Sequence, residues 1–178
     1  MNSRRKTSSL ALCALFTALL ALCAQIQLPL PGVPVNLALF AVHLGAMLLS
    51  PRETVSFVLA YLLLGTFGVP VFSGFRSGPA VLAGPTGGFL AGYLLCAPVV
   101  CRLSRGADST AKLFFSALTG TALCSACGFF WFMHATESAF SASLAAYFLI
   151  FLPGDLVKIM LAILLFRRLE KPLRAITA

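Results

Sequence analysis

Long apolar runs, separated by short breaks, occupy most of the chain. They predict six helices, at about residues 8–26, 35–50, 53–68, 80–101, 112–133 and 143–168. A helix needs roughly 20 mainly apolar residues to cross a bilayer, and the second and third runs are short by that measure. The pattern predicts an all-α integral membrane protein, a six-transmembrane-helix bundle that forms a single domain over residues 1–178.

Composition agrees with a membrane location. Of the 178 residues, 60% are hydrophobic and 10% are charged, whereas soluble domains carry about 25% charged residues. A net charge of +8 is also typical of proteins that bind nucleic acid. The basic residues cluster at the ends of apolar runs, however, and no basic face is interleaved with aromatic residues. We therefore expect a multi-pass protein of the cell membrane, surrounded by lipid, with no nucleic-acid partner.

Basic residues also predict the orientation of the helices. If six helices cross the membrane in alternating directions, four regions lie on the same side: the N-terminal tail, the 50–53 turn, the 102–112 loop and the C-terminus. These regions contain eleven of the thirteen Lys and Arg residues. By the positive-inside rule, both termini are cytoplasmic. The proline- and glycine-rich loops then face outward. The first run also resembles the core of a signal peptide, but we expect an uncleaved helix because the following chain is itself multispanning.

An acid and a base, Asp155 and Lys158, lie within the last apolar run. Pro153 suits a first helical turn, and the spacing of three places both side chains on one helix face. Charged residues within membrane segments are costly and mark functional sites. We predict that the two residues bind a ligand; the alternative is an ion pair that pins two helices together.

Other polar positions are weaker candidates for a ligand site. Asn36, Ser77 and Thr86 are candidate lining residues, with ordinary loop and cap hydrogen bonding as the alternative. Tyr93 is a further candidate, for which packing is the favoured alternative, and Arg76 is expected at the level of the lipid headgroups. The glycines of residues 84–88 let the backbone approach either a small ligand or a neighbouring helix.

The sequence contains no recognisable catalytic or metal-binding set. It lacks an HExxH motif, a phosphate-binding loop and carboxylates paired at a useful spacing. The six cysteines are interpreted as small buried apolar residues, and His43 and His134 as polar packing residues. We therefore predict no enzyme activity, no metal and no cofactor.

Small residues form a stripe on the first helix, at spacings of 3, 4 and 3: Ala11, Ala14, Ala18 and Ala21. Such a stripe lets another helix approach closely. The sequence leaves open whether that helix belongs to the same bundle or to a partner protein.

Four segments resemble the BioY family: residues 27–35 (QLPLPGVPV), 61–72 (YLLLGTFGVPVF), 84–89 (GPTGGF) and 151–158 (FLPGDLVK). They occur in order, at family-like spacing, along nearly the whole chain. BioY proteins are the biotin-capturing subunits of energy-coupling-factor (ECF) transporters. Two places depart from the family pattern: residues 35–38 lack the usual Thr and Gln, and Phe75 and Arg76 occupy a normally glycine-rich loop.

The resemblance implies an outward-facing biotin pocket, capped by the loops after the first and third helices. It implies that Asp155 and Lys158 hold polar groups of the vitamin, and that Ala14 and Ala18 dock on a shared transmembrane coupling protein that works with ABC-type ATPases. Two other functions remain as alternatives. One is a membrane enzyme acting on a lipid or small acid, with Asp155 as acid or base, and the other is a structural subunit that binds no ligand.

Overall fold

The computed structural model describes residues 3–28, 35–137 and 153–170. The start predicted for the sixth helix, most of the proline-rich first loop, and the last basic residues, Lys171 and Arg174, lie outside the described residues.

The described residues form seven helices and one pair of very short strands. The helices are α1 (Ser3–Gln25), α2 (Ala38–Leu48), α3 (Pro51–Thr66), α4 (Pro79–Ala83), α5 (Gly87–Ser104), α6 (Thr110–Thr136) and α7, which covers residues 153–170. The strands β1 (Gln27–Leu28) and β2 (Val35–Asn36) pair antiparallel between α1 and α2.

Two helix boundaries differ from the sequence prediction for identifiable reasons. Helix α2 begins at Ala38, because Val35 and Asn36 pair with β1 and the Asn36 Oδ1 accepts a hydrogen bond from the Ala38 N–H at 3.1 Å. The helix predicted at 80–101 is divided into α4 and α5. Gly84 has an extended backbone at this break, and the following Pro85 has no N–H with which to continue a helix.

Helix α2 lies at the centre of the molecule and contacts α1, α3 and α5. Ten of its eleven residues are buried, so nearly its whole circumference faces protein. His43 is among them, and its Nε2 lies 2.9 Å from the hydroxyl oxygen of Thr121 on α6. This partner satisfies the buried imidazole, in agreement with the interpretation of His43 as a polar packing residue.

Helices α5 and α6 pack closely through glycines on both sides. A Cβ built at Gly92 would lie 3.0 Å from the Cα of Cys124, and one at Gly88 would collide with Trp131 and with the carbonyl of Cys127. On α6, a Cβ at Gly120 would collide with side chains of α5. Gly88 therefore serves a helix–helix approach, which is one of the two roles considered for residues 84–88.

Within the described part of the chain, three helices are long and apolar enough to cross a membrane: Lys6–Gln25, Gly87–Ser104 and Thr110–Thr136. Helix α2 has 11 residues and α3 has 16. At 1.5 Å per residue, α2 extends about 17 Å, well below the roughly 30 Å of a hydrocarbon core. The six-span count therefore stays a prediction.

Candidate ligand-binding site

A cavity lies where the first turns of α2 and α5, the middle of α6, the start of α7 and the 72–76 loop meet. It contains about 640 Å³ of space not filled by protein atoms, part of it open to solvent. The described lining residues are Asn36, Leu39, Phe72, Ser73, Arg76, Val81, Thr86, Phe89, Leu90, Tyr93, Cys124, Ser125, Asp155 and Lys158.

Asp155 and Lys158 form an ion pair on the cavity wall. The Lys158 Nζ donates to the Asp155 Oδ1 at 2.8 Å, and each residue is only 6% exposed. Their spacing of three residues on α7 brings the two heads together, as predicted. An ammonium has three donors and a carboxylate has two oxygens, so this single bond leaves hydrogen-bonding capacity on both groups.

Asn36 and Ser73 form a polar link in the wall of the cavity. The Asn36 Nδ2 donates to the Ser73 Oγ, while its Oδ1 accepts from the backbone at the start of α2. Both ends of the amide therefore have partners within the protein, which is the cap-and-loop role considered for Asn36. The residue also lines the cavity, and its contact with a ligand stays a prediction.

Three further candidates occupy different places. Thr86 lines the cavity at the N-cap of α5, and its side chain makes no capping hydrogen bond. Tyr93 lies about two helical turns farther along α5, is only 5% exposed, and also lines the cavity. Ser77 is half-buried but is absent from the cavity lining, whereas its neighbour Arg76 is exposed and lines it. Arg76, for which the sequence predicts a place at the level of the lipid headgroups, is therefore also a residue of the cavity.

The 72–76 loop is held by a residue that sequence reasoning did not single out. The Gln25 Nε2 donates to the carbonyls of Val71 and Phe72 at 3.0 and 3.1 Å, and its Oε1 accepts from the Phe75 N–H at 2.9 Å. Gln25 ends α1, nearly fifty residues away in sequence, so no local pattern could have revealed this role. The loop closes with a bridge between Phe72 and Arg76.

Phe72 anchors the same loop in the core. Its ring is 1% exposed and packs edge-on against Tyr61, with ring centroids 5.5 Å apart. It lies directly over Gly65 of α3, where any Cβ would collide with the ring. Phe72 also lines the cavity, together with the apolar residues Leu39, Phe89 and Leu90.

The alanine stripe of α1 lies on the outside of the described structure. Ala11, Ala14 and Ala18 are exposed and Ala21 is half-buried. Ala14, Ala18 and Ala21 line a second, apolar groove, whose other wall is supplied by α3 residues Ala60, Leu63, Leu64 and Phe67. Packing within the described bundle does not account for the stripe, and docking of a partner there stays a prediction.

Comparison with known proteins agrees with this architecture. The model of the BioY family matches residues 1–175, nearly the whole chain. The chain belongs to the BioY family. Among curated BioY relatives, the biotin transporter BioY of Thermotoga maritima is 38% identical over 160 residues, covering 88% of this chain and 92% of the relative. The probable biotin transporter BioY of Pyrococcus horikoshii is 32% identical over 165 residues, covering 93% and 98%.

A solved structure shares the fold. The crystal structure of the S-component for biotin from an ECF-type ABC transporter matches with a TM-score of 0.89 at 25% identity, covering 96% of this chain and 95% of that one. The predictions of an all-α membrane fold and of BioY membership are therefore confirmed, and the chain is a multi-pass membrane protein.

Proposed function

We propose that this chain captures biotin in the cell membrane, as the substrate-binding subunit of an ECF-type transporter. Its curated relatives are named biotin transporters, and its structural neighbour is a biotin S-component. The observation that carries the proposal is the buried Asp155–Lys158 pair on the wall of the cavity.

The chemistry of the cavity matches the head of biotin. A ureido ring offers two N–H donors and one carbonyl acceptor. The Asp155 carboxylate is the acidic acceptor among the described lining residues, and Lys158 supplies charged donors beside it. Charge-assisted hydrogen bonds of this kind are worth roughly 1.5–3 kcal/mol each. Phe72, Phe89 and Leu39 offer apolar surface to the fused rings and the aliphatic chain.

Capture without catalysis is the function supported here. The relatives described above are named as transporters, and the alternative of a membrane enzyme receives no support from them. Asp155 is already bound to Lys158, and no second carboxylate lines the described part of the cavity.

Three further features belong to the same proposal. The whole chain works as one transmembrane domain with six spans, both termini are cytoplasmic, and the cavity faces outward. The groove that contains Ala14 and Ala18 docks on a transmembrane coupling protein, which brings in ABC-type ATPases. The exposure of these alanines and the open shape of the groove support this docking.

Equilibrium binding of labelled biotin to the purified full-length protein tests the proposal. We expect saturable binding of one biotin per chain, with the released ligand chemically unchanged. Absence of saturable binding by folded protein would contradict the proposal and favour a structural subunit. Release of a modified product would favour the enzyme instead.

A further inference from the structure

The polar groups of the cavity differ in depth. Asp155, Lys158 and Tyr93 are buried at 5–6% exposure. Asn36, Ser73 and Thr86 are half-buried, and Arg76 is exposed. The cavity therefore has a deep end, which contains an ion pair, and a mouth, which contains a single guanidinium. Most of the other lining residues are apolar, Leu39, Val81, Phe89 and Leu90 among them.

The charges of the lining do not cancel. Asp155 and Lys158 neutralise each other at 2.8 Å. Arg76 is the remaining charged residue of the described lining, and within the described part of the chain no carboxylate lies within ion-pair distance of it. An arginine stays protonated at any physiological pH, so the mouth carries one uncompensated positive charge.

The 72–76 loop fixes where that charge is presented. The Arg76 Nε donates to the Ser73 carbonyl at 3.1 Å, and the backbones of Phe72 and Arg76 exchange hydrogen bonds at 3.1 and 3.2 Å. Phe72 is anchored in the core, and Gln25 holds the loop from α1. The bond from Nε leaves the two terminal nitrogens, which form the fork that grips a carboxylate.

We propose that Arg76 determines specificity by binding the carboxylate of the ligand's tail at the mouth of the cavity. This inference rests on the proposed capture of biotin and deepens it. The ureido ring occupies the deep end at Asp155 and Lys158, the aliphatic chain runs along the apolar walls, and the carboxylate meets Arg76. Lys158 is thereby assigned to the ureido carbonyl and not to the carboxylate.

Neutral analogues of biotin make the test specific to the tail. Binding of biotin, biotin methyl ester and biotinol to the purified full chain is measured by competition against labelled biotin. The parent should prefer biotin over both analogues. Arg76→Gln should weaken biotin binding by about 10-fold, equivalent to about 1.4 kcal/mol, and leave binding of the two analogues nearly unchanged. Arg76→Lys keeps the charge but not the fork, so we expect an intermediate preference.

Two control variants separate this role from others. Lys158→Met should weaken all three ligands together, because each carries the same ureido ring. Arg105→Gln, an exposed arginine in the turn between α5 and α6, should change none of them.

The outcomes distinguish failure of the inference from failure of the proposed function. If the parent does not bind biotin, the proposed function fails. If it binds biotin but Arg76→Gln keeps the parent's preference for biotin over its ester, then Arg76 does not read the carboxylate. Equal weakening of all three ligands would likewise overturn the inference and make Arg76 a general loop or headgroup contact.

Discussion

The Asp155–Lys158 pair places two opposite charges in a buried position, at a considerable energetic cost. Desolvation of each ion costs several kcal/mol, and mutual attraction offsets this only with good geometry. The contact of 2.8 Å supplies that geometry, but it uses a fraction of the hydrogen bonds that the two groups can make. A ligand that completes these hydrogen bonds gains binding energy from groups that are already dehydrated and oriented.

Replacement of either member should therefore weaken binding, and it should also lower the stability of the fold, because the remaining group is left buried without its partner. Asp155→Asn keeps the shape and replaces part of the acceptor by a donor, so we expect biotin binding to weaken at least ~10-fold, about 1.4 kcal/mol. Lys158→Met should weaken it similarly. Equilibrium binding to purified protein measures both effects. Asp108→Asn and Lys6→Met, at exposed positions outside the cavity, are the matched controls and should bind like the parent.

The double variant Asp155→Asn with Lys158→Met shows whether the pair binds the ligand or only stabilises the fold. It removes both charges together, so neither is left unpaired in a buried position. If this variant folds and still binds biotin like the parent, the pair is only structural and the site assignment is wrong.

Only local contacts among these residues could be predicted from the sequence. The meeting of Asp155 and Lys158 follows from helix geometry, which requires a spacing of three and nothing else. The contacts of Gln25 with the 72–76 loop and of Asn36 with Ser73 join residues 37 to 50 positions apart. They depend on how α1, α2 and the loop meet in space. For the same reason, the sequence of the loop could not show that Arg76 lines the cavity and that its neighbour Ser77 does not.

At the scale of elements, small residues serve two different surfaces. Glycines on α5 and α6 lie against side chains and backbone of the other helix, at contacts too close for an unshifted Cβ. Alanines on α1 face outward beside a groove shared with α3. The stripe on α1 was evident from its spacing, but spacing is the same for an internal and an external contact. Likewise, the apolar runs predicted where the helices lie. They did not predict the division between α4 and α5 at Gly84 and Pro85, because the chain is apolar on both sides of these two residues.

Enlarging the exposed alanines should separate coupling from capture. Leucines at Ala14 and Ala18 would fill the groove between α1 and α3 and hinder the close approach of a partner helix. Because both positions are exposed, we expect the purified subunit to bind biotin like the parent, while energised biotin uptake by cells is lost. Binding and uptake are measured on the same variants.

Helix α6 offers a matched control, since Ala122 and Ala126 are also exposed and four residues apart. Leucines at those positions should leave both binding and uptake unchanged. If the Ala14 and Ala18 variant transports biotin normally, the stripe is not a coupling surface.

At the scale of the whole molecule, tertiary contacts bring the basic regions to one end. The Cys13 Sγ of α1 lies 3.7 Å from the carbonyl oxygen of Glu53 at the α2–α3 turn, and the Cys101 Sγ near the end of α5 lies 3.5 Å from the carbonyl oxygen of Leu49. Arg167, near the end of α7, donates to the carbonyl of Asp108 at 2.8 Å. The cavity lies at the opposite ends of α2, α5 and α7.

This arrangement places the basic regions at one end of the molecule and the cavity at the other. We therefore predict that both termini are cytoplasmic and that the cavity faces outward. A reporter active only outside the cytoplasm should be inactive when fused after Ala178 or in the α5–α6 turn after Gly106, and active when fused after Thr136 at the end of α6. A reporter active only inside the cytoplasm should give the reverse pattern, which controls for expression. The positive-inside rule and the tertiary contacts predict the same pattern for independent reasons. Activity of the external reporter after Ala178 but not after Thr136 would invert the orientation and place the cavity on the cytoplasmic side, where it could not capture an external vitamin.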